Sequence, residues 1–262
     1  MTRLFIMLVM LGSGVVSAQP RISLSPPQVE ADSVFFEEAA AVRLELDYPG
    51  VQLRYTLDDS PVVPGSLLYE GPLHLAQTAV VRARAFHEDF ADSPEVALTI
   101  RSLKQDHPVK VVAAQPAPSS RYSGAGLPAL TDRQKGALNF AASPEAWLGW
   151  ETDTLHLMLE LDTPTAANRL TLSLLDDAGA WIMKPALVQV YESGELVGEA
   201  TVSPPAAAAP TRHTFLEVAL PPRRYEHLHI LVCSRELPEW HDGAGRPAWI
   251  FLDEIFLSQI SR

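Results

Sequence analysis

The sequence has little of two residue classes, and each shortage excludes a group of proteins. Cysteine occurs once in 262 residues, as Cys233, so no disulfide within the chain can form. Lys and Arg number 20 against 32 Asp and Glu, which gives a net charge of −12. Binding to a phosphate backbone needs many Lys and Arg on one face, so this balance argues against nucleic acid as a partner.

Long apolar runs are also scarce. The run at residues 4–11 is well short of the ~20 residues that a membrane-spanning helix needs. It follows Arg3 and precedes the small residues Val16, Ser17 and Ala18, which is the layout of a secretory signal peptide. We therefore predict a signal peptide at residues 1–18, cleavage before Gln19, a mature protein in the periplasm or outside the cell, and no transmembrane segment.

The remaining sequence has little that favours long helices, because 22 prolines are spread along it. Its apolar residues instead recur at every second position, as in Val42, Leu44 and Leu46, and again in Leu155 and Leu157. This alternation is typical of strands with one buried face. We predict an all-β chain with a first domain at 19–103, a proline-containing linker at 104–118 and a second domain at 119–262.

Tryptophan is confined to the second domain. A flat aromatic ring can stack on the apolar face of a sugar. Tryptophans next to loop-forming Gly, Asp or Pro are therefore candidate ligand contacts. The alternative is that these rings fill the core of a sandwich. The predicted ligand-binding residues are Trp150, Trp181, Trp240, His241, Asp242 and Arg246, in which the arginine offers bidentate hydrogen bonds.

Motifs of enzymes and metal proteins are sparse. The sequence contains no Gly-x-Ser-x-Gly elbow, no phosphate-binding Gly-rich loop with Lys, and no His-Glu-x-x-His pair. His227 and His229 stand two residues apart on a predicted strand and share one face. They are either a zinc pair or solvated side chains.

Residues 51–86 carry a recognisable pattern. The pattern comprises Tyr55, Thr56, Asp58, Pro61, Ser66, Tyr69, Gly71, Pro72, Ala83 and Ala85. It resembles the Ig-like domain appended to chitobiases and family 20 beta-N-acetylhexosaminidases. Asp59 stands where that family usually has Gly. The resemblance implies an Ig-like β-sandwich for the first domain.

Several segments of the second domain match a different module. They are LTDRQKG at 130–136, NF at 139–140, WLGWE at 147–151, LLDDAGAWIMKPALVQVY at 174–191 and LPEWHDGAGRPAWIFLDEI at 237–255. These segments resemble the discoidin-like (coagulation factor type C, galactose-binding-like) module that ends many bacterial hexosaminidases. The resemblance implies a jelly-roll β-sandwich after the Ig-like domain. Arg133 stands where that module usually has Gly.

The two resemblances together imply a function without catalysis. In the hexosaminidases, hydrolysis is performed by a separate (β/α)₈ barrel with a His-x-Gly-Gly-Asp-Glu signature, and this sequence does not contain that signature. We expect an exported, non-catalytic carbohydrate-binding protein for N-acetylhexosamine-containing or other surface glycans, with a separately encoded glycoside hydrolase as a candidate partner. The alternative is a structural or protein-interaction module of the cell envelope. A hydrolase subunit is the least favoured reading.

The discoidin-like resemblance also implies a structural calcium ion. In related jelly rolls an Asp of the LTD loop, a Glu of the last strand and several carbonyl groups hold Ca²⁺, and the matching residues here are Asp132 and Glu254. Calcium prefers six to eight hard oxygen ligands, which such a set provides. Arg133 offers an alternative, because its side chain could pair with either acid.

Overall fold

The computed structural model describes residues 21–207 and 210–260, so the predicted signal peptide lies outside the described residues. Within them, regular structure consists of strands and three short 3-10 turns at Leu127–Thr131, Phe140–Ala142 and Ala178–Ala180. The predicted all-β fold of two successive β-sandwiches is confirmed. None of the described helical turns is long and apolar enough to cross a membrane.

The first domain is built from two small sheets. One has the order β1-β3-β6 and the other the order β2-β8-β7-β4-β5. Their strands are β1 (Gln28–Ala31), β2 (Phe35–Phe36), β3 (Ala40–Glu45), β4 (Gln52–Thr56), β5 (Leu67–Leu68), β6 (Leu73–Leu75), β7 (Ala79–Phe86) and β8 (Val96–Ser102).

Alternation along β7 shows how the sequence positions these sheets. Val81 and Ala83 are fully buried between the two sheets, whereas Arg82 points outward. The Arg82 guanidinium lies 2.6 Å from Glu95 and also pairs with Asp59. Asp59 adopts a left-handed conformation with φ 64°, which glycine adopts most readily.

The second domain has longer strands in one connected sheet of order β11-β16-β12-β15-β13-β14. In addition, β10 pairs with β12 and β9 pairs with β16. The strands are β9 (Asp106–His107), β10 (Lys110–Gln115), β11 (Leu148–Glu151), β12 (Thr154–Asp176), β13 (Leu187–Glu192), β14 (Glu195–Thr201), β15 (Arg212–Cys233) and β16 (Trp249–Ser258).

Two long strands, β12 and β15, make this connected sheet into a two-layer sandwich. Their pairing register is interrupted between Glu160 and Thr165 and again between Ala167 and Arg169. Before these irregularities β12 pairs with β10, and after them it pairs with β16. Such interruptions let one strand bend from one layer to the other. One buried cluster contains side chains from both halves, including Leu157 and Leu172.

The prediction that residues 104–118 form a linker is wrong in part. This stretch contains β9 and β10, and β10 lies against β12 with Lys110 opposite Glu160 and Gln115 opposite His156. Val109 and Val111 belong to the buried cluster of the second domain. The prolines in this stretch flank the strands, where a missing N–H is tolerated, so they do not prevent pairing.

The two domains meet through an aromatic junction. Phe35 of β2 is 6% exposed. Its ring lies 5.1 Å from Phe256 in an edge-to-face arrangement and 6.0 Å from Phe215. Arg101 lies over the Phe256 ring at 4.5 Å. The first domain therefore packs directly against β15 and β16.

Ion pairs flank this junction. Arg101 and Asp106 are 2.7 Å apart, with side chains 6% and 3% exposed. Burial raises the pKa of Asp106 and the Arg101 charge opposes that rise. A second pair at 2.6 Å joins Arg133 of the second domain to Glu37 of the first. Because a buried charge without a partner is costly, the Arg101–Asp106 pair disfavours separation of the domains.

Candidate functional site

Trp181 lies at the start of a loop cluster at one end of the second sandwich. The cluster is formed by the loop after β12 and the loop between β15 and β16. Trp181 ends the 3-10 turn Ala178–Ala180 in a left-handed conformation with φ 65°. This conformation is uncommon for a residue with a bulky side chain, so the surrounding contacts hold it in place.

The Trp181 ring is packed closely from three sides. A Cβ atom added at Gly243 would lie 2.9 Å from the ring, so the loop can pass this close only with glycine. The Arg246 guanidinium lies 4.6 Å from the ring centroid, and His241 meets the ring edge-on at 5.6 Å. Trp181 is half-buried and supports its neighbours more than it faces solvent.

His241 is fixed by hydrogen bonds at both ring nitrogens. Its Nδ1 accepts a hydrogen bond of 3.0 Å from the Gly243 N–H. Its Nε2 lies 2.7 Å from the Ala178 carbonyl oxygen, which can only accept. This pattern assigns the neutral tautomer with hydrogen on Nε2. His241 is therefore a positioning residue between Trp181 and Trp240.

Trp240 supplies the exposed ring of the cluster. It is 38% exposed, and its Nε1–H donates a hydrogen bond of 3.2 Å to the Pro205 carbonyl oxygen. The ring lies 5.8 Å from His241 at 59°. Because one edge is anchored by Pro205 and His241, the ring is held in one orientation on the surface.

Two charged side chains belong to the same loop as Trp240. Arg246 is exposed and lies 3.2 Å from Glu151. Asp242 is exposed on the same loop and makes no hydrogen bond or ion pair within the described residues. The structure thus brings together Trp181, Trp240, His241, Asp242 and Arg246 of the predicted ligand-binding residues, with Asp242 placed by its position in the loop.

The prediction for Trp150 is wrong. Its side chain is 1% exposed and belongs to the buried cluster of the second domain. The Trp150 Nε1–H donates to the Pro116 carbonyl oxygen at 3.1 Å. On β11, Trp150 pairs with Ile250 and points into the core, so the next residue, Glu151, points outward.

Sequence reasoning missed Glu151 and the Pro205 carbonyl. WLGWE does not alternate in burial, since Leu148, Gly149 and Trp150 are all buried, so the only sequence signal for Glu151 is its charge at the end of an apolar segment. No sequence signal relates Pro205 to Trp240, since the two are 35 positions apart and meet only through the fold.

Asp132 and Glu254 meet in a second place. Gln134 N–H donates to Asp132 Oδ1 at 2.9 Å and to Glu254 Oε1 at 3.2 Å. Glu254 is 1% exposed, and its Oε2 is buried without a hydrogen-bond partner. Burial, followed by the contact with Asp132, raises the pKa of Glu254 to about 9.

The donor chemistry of this pair fits a hard cation. A buried, unpartnered carboxylate oxygen beside a second carboxylate is costly unless a positive charge lies nearby. The Arg133 side chain does not provide that charge, because it reaches Glu37 of the first domain. Lys135 does not provide that charge either, because it is paired at 2.6 Å with Asp253, the residue before Glu254. Within the described residues, no group of three or more His, Cys, Asp or Glu is arranged around one point, so carbonyl oxygens would have to complete the ligand set.

Comparison with known families identifies the first domain. Residues 32–97 match the family described as chitobiase/beta-hexosaminidase C-terminal domain. The match includes the whole of residues 51–86, in which the sequence resembles that Ig-like domain, and it confirms that resemblance. A search of curated proteins finds no match.

The solved structures that match this chain have low sequence identity and TM-scores below 0.5. A SusE-like protein is 11% identical, with 88% of this chain and 95% of that chain covered and a TM-score of 0.37. The C-terminal domain of a chitobiase from Bacteroides fragilis is 13% identical over 59% of this chain and 96% of that chain, with a TM-score of 0.36. A family 32 carbohydrate-binding module from Streptococcus pneumoniae EndoD is 13% identical over 58% of this chain and 96% of that chain, with a TM-score of 0.36. Similarity at this level does not assign a ligand.

Proposed function

We propose that the second domain binds a glycan at the surface formed by Trp240, Trp181, His241, Asp242 and Arg246. The observation that carries the proposal is the Trp240 ring, which is exposed and yet anchored through its Nε1–H. A rigid, exposed ring loses little conformational entropy when a sugar stacks on it. The adjacent Arg246 and Asp242 supply donors and acceptors for sugar hydroxyl or acetamido groups.

Arg246 is placed to act in this way without leaving a buried charge. Its partner Glu151 is exposed, so water can solvate Glu151 when Arg246 turns toward a ligand. We propose N-acetylhexosamine-containing glycans as the ligand class, because the acetamido group offers both a donor and an acceptor to this polar pair.

A glycan array followed by titration tests this function. The purified protein should bind a subset of the array, and Trp240→Ala should weaken that binding by about 1–3 kcal/mol, roughly 5- to 150-fold. Leu196→Ala is a matched control, because Leu196 is a similarly exposed apolar side chain at 47% on β14. The control should bind like the unaltered protein. Binding that survives in Trp240→Ala, or no binding to any glycan, would favour the protein-interaction alternative.

We also propose that the protein has no hydrolytic activity of its own. The candidate site holds two carboxylates: Glu151 is paired with Arg246, and Asp242 is exposed on the loop. Neither lies in the apolar surroundings that keep a carboxyl group protonated as a general acid for glycoside hydrolysis. The purified protein should not turn over a chromogenic N-acetylglucosaminide. Turnover that disappears when a single carboxylate is replaced would contradict the proposal.

We also propose that Asp132 and Glu254 bind a structural calcium ion. These residues would hold the ion, and its charge would offset the cost of the buried Glu254 carboxylate beside the exposed carboxylate of Asp132. Calcium at 100 times its dissociation constant should stabilise the fold by about 2.7 kcal/mol. Chelator should therefore lower the melting temperature, and added calcium should restore it.

Asp132→Asn and Asp162→Asn make this calcium test specific. Asp132→Asn should abolish the response to calcium, whereas Asp162→Asn, an exposed acid paired with Lys110, should retain it. If neither chelator nor added calcium changes the melting temperature of the unaltered protein, no such site exists.

Export is the remaining part of the proposed function. The signal-like residues 1–18 should be removed when the protein is expressed with its own N-terminus, and the secreted protein should then begin at Gln19. N-terminal sequencing of the exported protein measures this directly. A protein that stays in the cytoplasm with Met1 intact would contradict it.

A further inference from the structure

Two histidines meet on the outer face of the second sandwich, away from the loops discussed above. His156 lies on β12 and His229 on β15. In the pairing register His156 is opposite Leu231 and Met158 is opposite His229, so the histidines are diagonal neighbours on one face. Their chain neighbours Leu157 and Ile230 are fully buried, which fixes this face as the outer one.

The two imidazole rings face each other edge to edge. His156 Nδ1 lies 2.9 Å from His229 Nε2. The ring planes differ by only 9°, and the centroids are 5.1 Å apart. The distance between the centroids is close to the nitrogen–nitrogen distance plus one centroid-to-nitrogen distance for each ring. The two nitrogens therefore point at one another. One nitrogen donates and the other accepts in this arrangement.

We propose that His156 and His229 form a binding site for a divalent transition-metal ion, with Cu²⁺ preferred. Neutral imidazole nitrogen is a common ligand for copper, nickel and zinc, and among these ions Cu²⁺ binds nitrogen donors most strongly. Each ring can carry its hydrogen on the outer nitrogen, His156 Nε2 or His229 Nδ1, and this leaves both facing nitrogens free to bind a metal. Water would fill the other positions on the ion.

One histidine is held in place and the other can adjust. The Tyr191 ring of β13 lies 5.8 Å from His229 at 29°, and the Tyr191 hydroxyl donates to Gln189 Oε1 at 2.8 Å. These contacts restrict the His229 ring. His156 is exposed, so a rotation of its side chain can open the gap between the nitrogens to admit an ion.

The pair differs from the proposed calcium site in chemistry and in position. Its donors are nitrogens, which suit transition metals, whereas Asp132 and Glu254 offer hard oxygens. Glu254 lies on β16 opposite Ser173, in the half of β12 beyond the bend, whereas His156 lies before it. Calcium should therefore not compete for the histidine pair.

The test is a titration of the metal-free purified protein with Cu²⁺, followed by calorimetry and by electron paramagnetic resonance. His156→Ala and His229→Ala should each lower the copper affinity of the histidine pair by about tenfold or more, because each removes one of two protein ligands. His227→Ala is the matched control, since His227 is exposed on the same strand but lies near Glu160 and Glu226. It should leave that site unchanged.

The spectrum of the bound ion adds an independent measurement. In the unaltered protein the copper signal should show coupling to two imidazole nitrogens, and each single variant should reduce this to one. The melting temperature of each variant shows that the fold is retained. The proposal is overturned if no copper binds, if either single variant binds copper like the unaltered protein, or if His227→Ala weakens binding as much as the other two.

Discussion

Phe35→Ala should uncouple the two domains. The Phe35 ring is 6% exposed and is enclosed by Leu103 of the first domain and by Phe215 and Phe256 of the second. Removing a ring from such a site costs about 3–5 kcal/mol, from lost burial and from the cavity left behind. For a chain of this size the melting temperature should fall by about 6–20 °C, at roughly 2–4 °C per kcal/mol.

The distribution of tryptophan gives a sharp assay for this change. All five tryptophans lie in the second domain, so their fluorescence reports unfolding of that domain alone. Far-ultraviolet circular dichroism reports both domains. In the unaltered protein the junction should make the two transitions coincide. In Phe35→Ala they should separate, because the link through Phe256 and Arg101 is weakened.

Phe90→Ala is the control for this experiment. Phe90 lies in the first domain against Tyr48 and His87, and it does not touch the second domain's aromatic residues. Its replacement should leave the two transitions coincident. If Phe35→Ala leaves both the stability and the coincidence of the transitions unchanged, the junction does not couple the domains.

Two further predictions concern the second domain. Trp150→Ala should destabilise the fold by about 3–5 kcal/mol in chemical denaturation, because its ring is buried; a variant of unchanged stability would refute that placement. Stability should also fall as the pH drops from about 6.5 toward 3, because burial and the nearby Lys135 charge lower the pKa of His213 to about 3, so the unfolded chain binds its proton first. His213→Leu should lose this part of the pH dependence, and an unchanged pH profile in that variant would contradict the assignment.

The strands were predictable because their signal is local. Alternation at Leu155 and Leu157, and at Val42 and Leu44, specifies which face of a strand is buried, and the structure buries those residues. The linker at 104–118 was not predictable in the same way. β10 has the sequence KVVAAQ, in which apolar and polar residues do not alternate, and its pairing with β12 depends on a partner more than 40 positions away.

The candidate site was predictable in its residue types but not in its contacts. Trp240, His241, Asp242 and Arg246 are neighbours in sequence, so a loop containing one brings the others. Exposure is a property of the whole fold, which is why Trp150 and Trp240 could not be separated by their local sequence. The pairing of His229 with His156 likewise depends on the register of two strands, whereas the sequence offered only His227 as its neighbour.

One measurement tests glycan binding at Trp240 most directly: the indole N–H signals of the protein labelled with ¹⁵N-tryptophan, recorded during a titration with a glycan found on the array. The Trp240 signal, assigned with Trp240→Phe, should shift until the protein is saturated with the glycan. The signals of Trp147 and Trp150, whose indole N–H groups are bonded to Ala137 and Pro116 in the interior, should stay in place. Saturable glycan binding that leaves the Trp240 signal in place would contradict the proposed site.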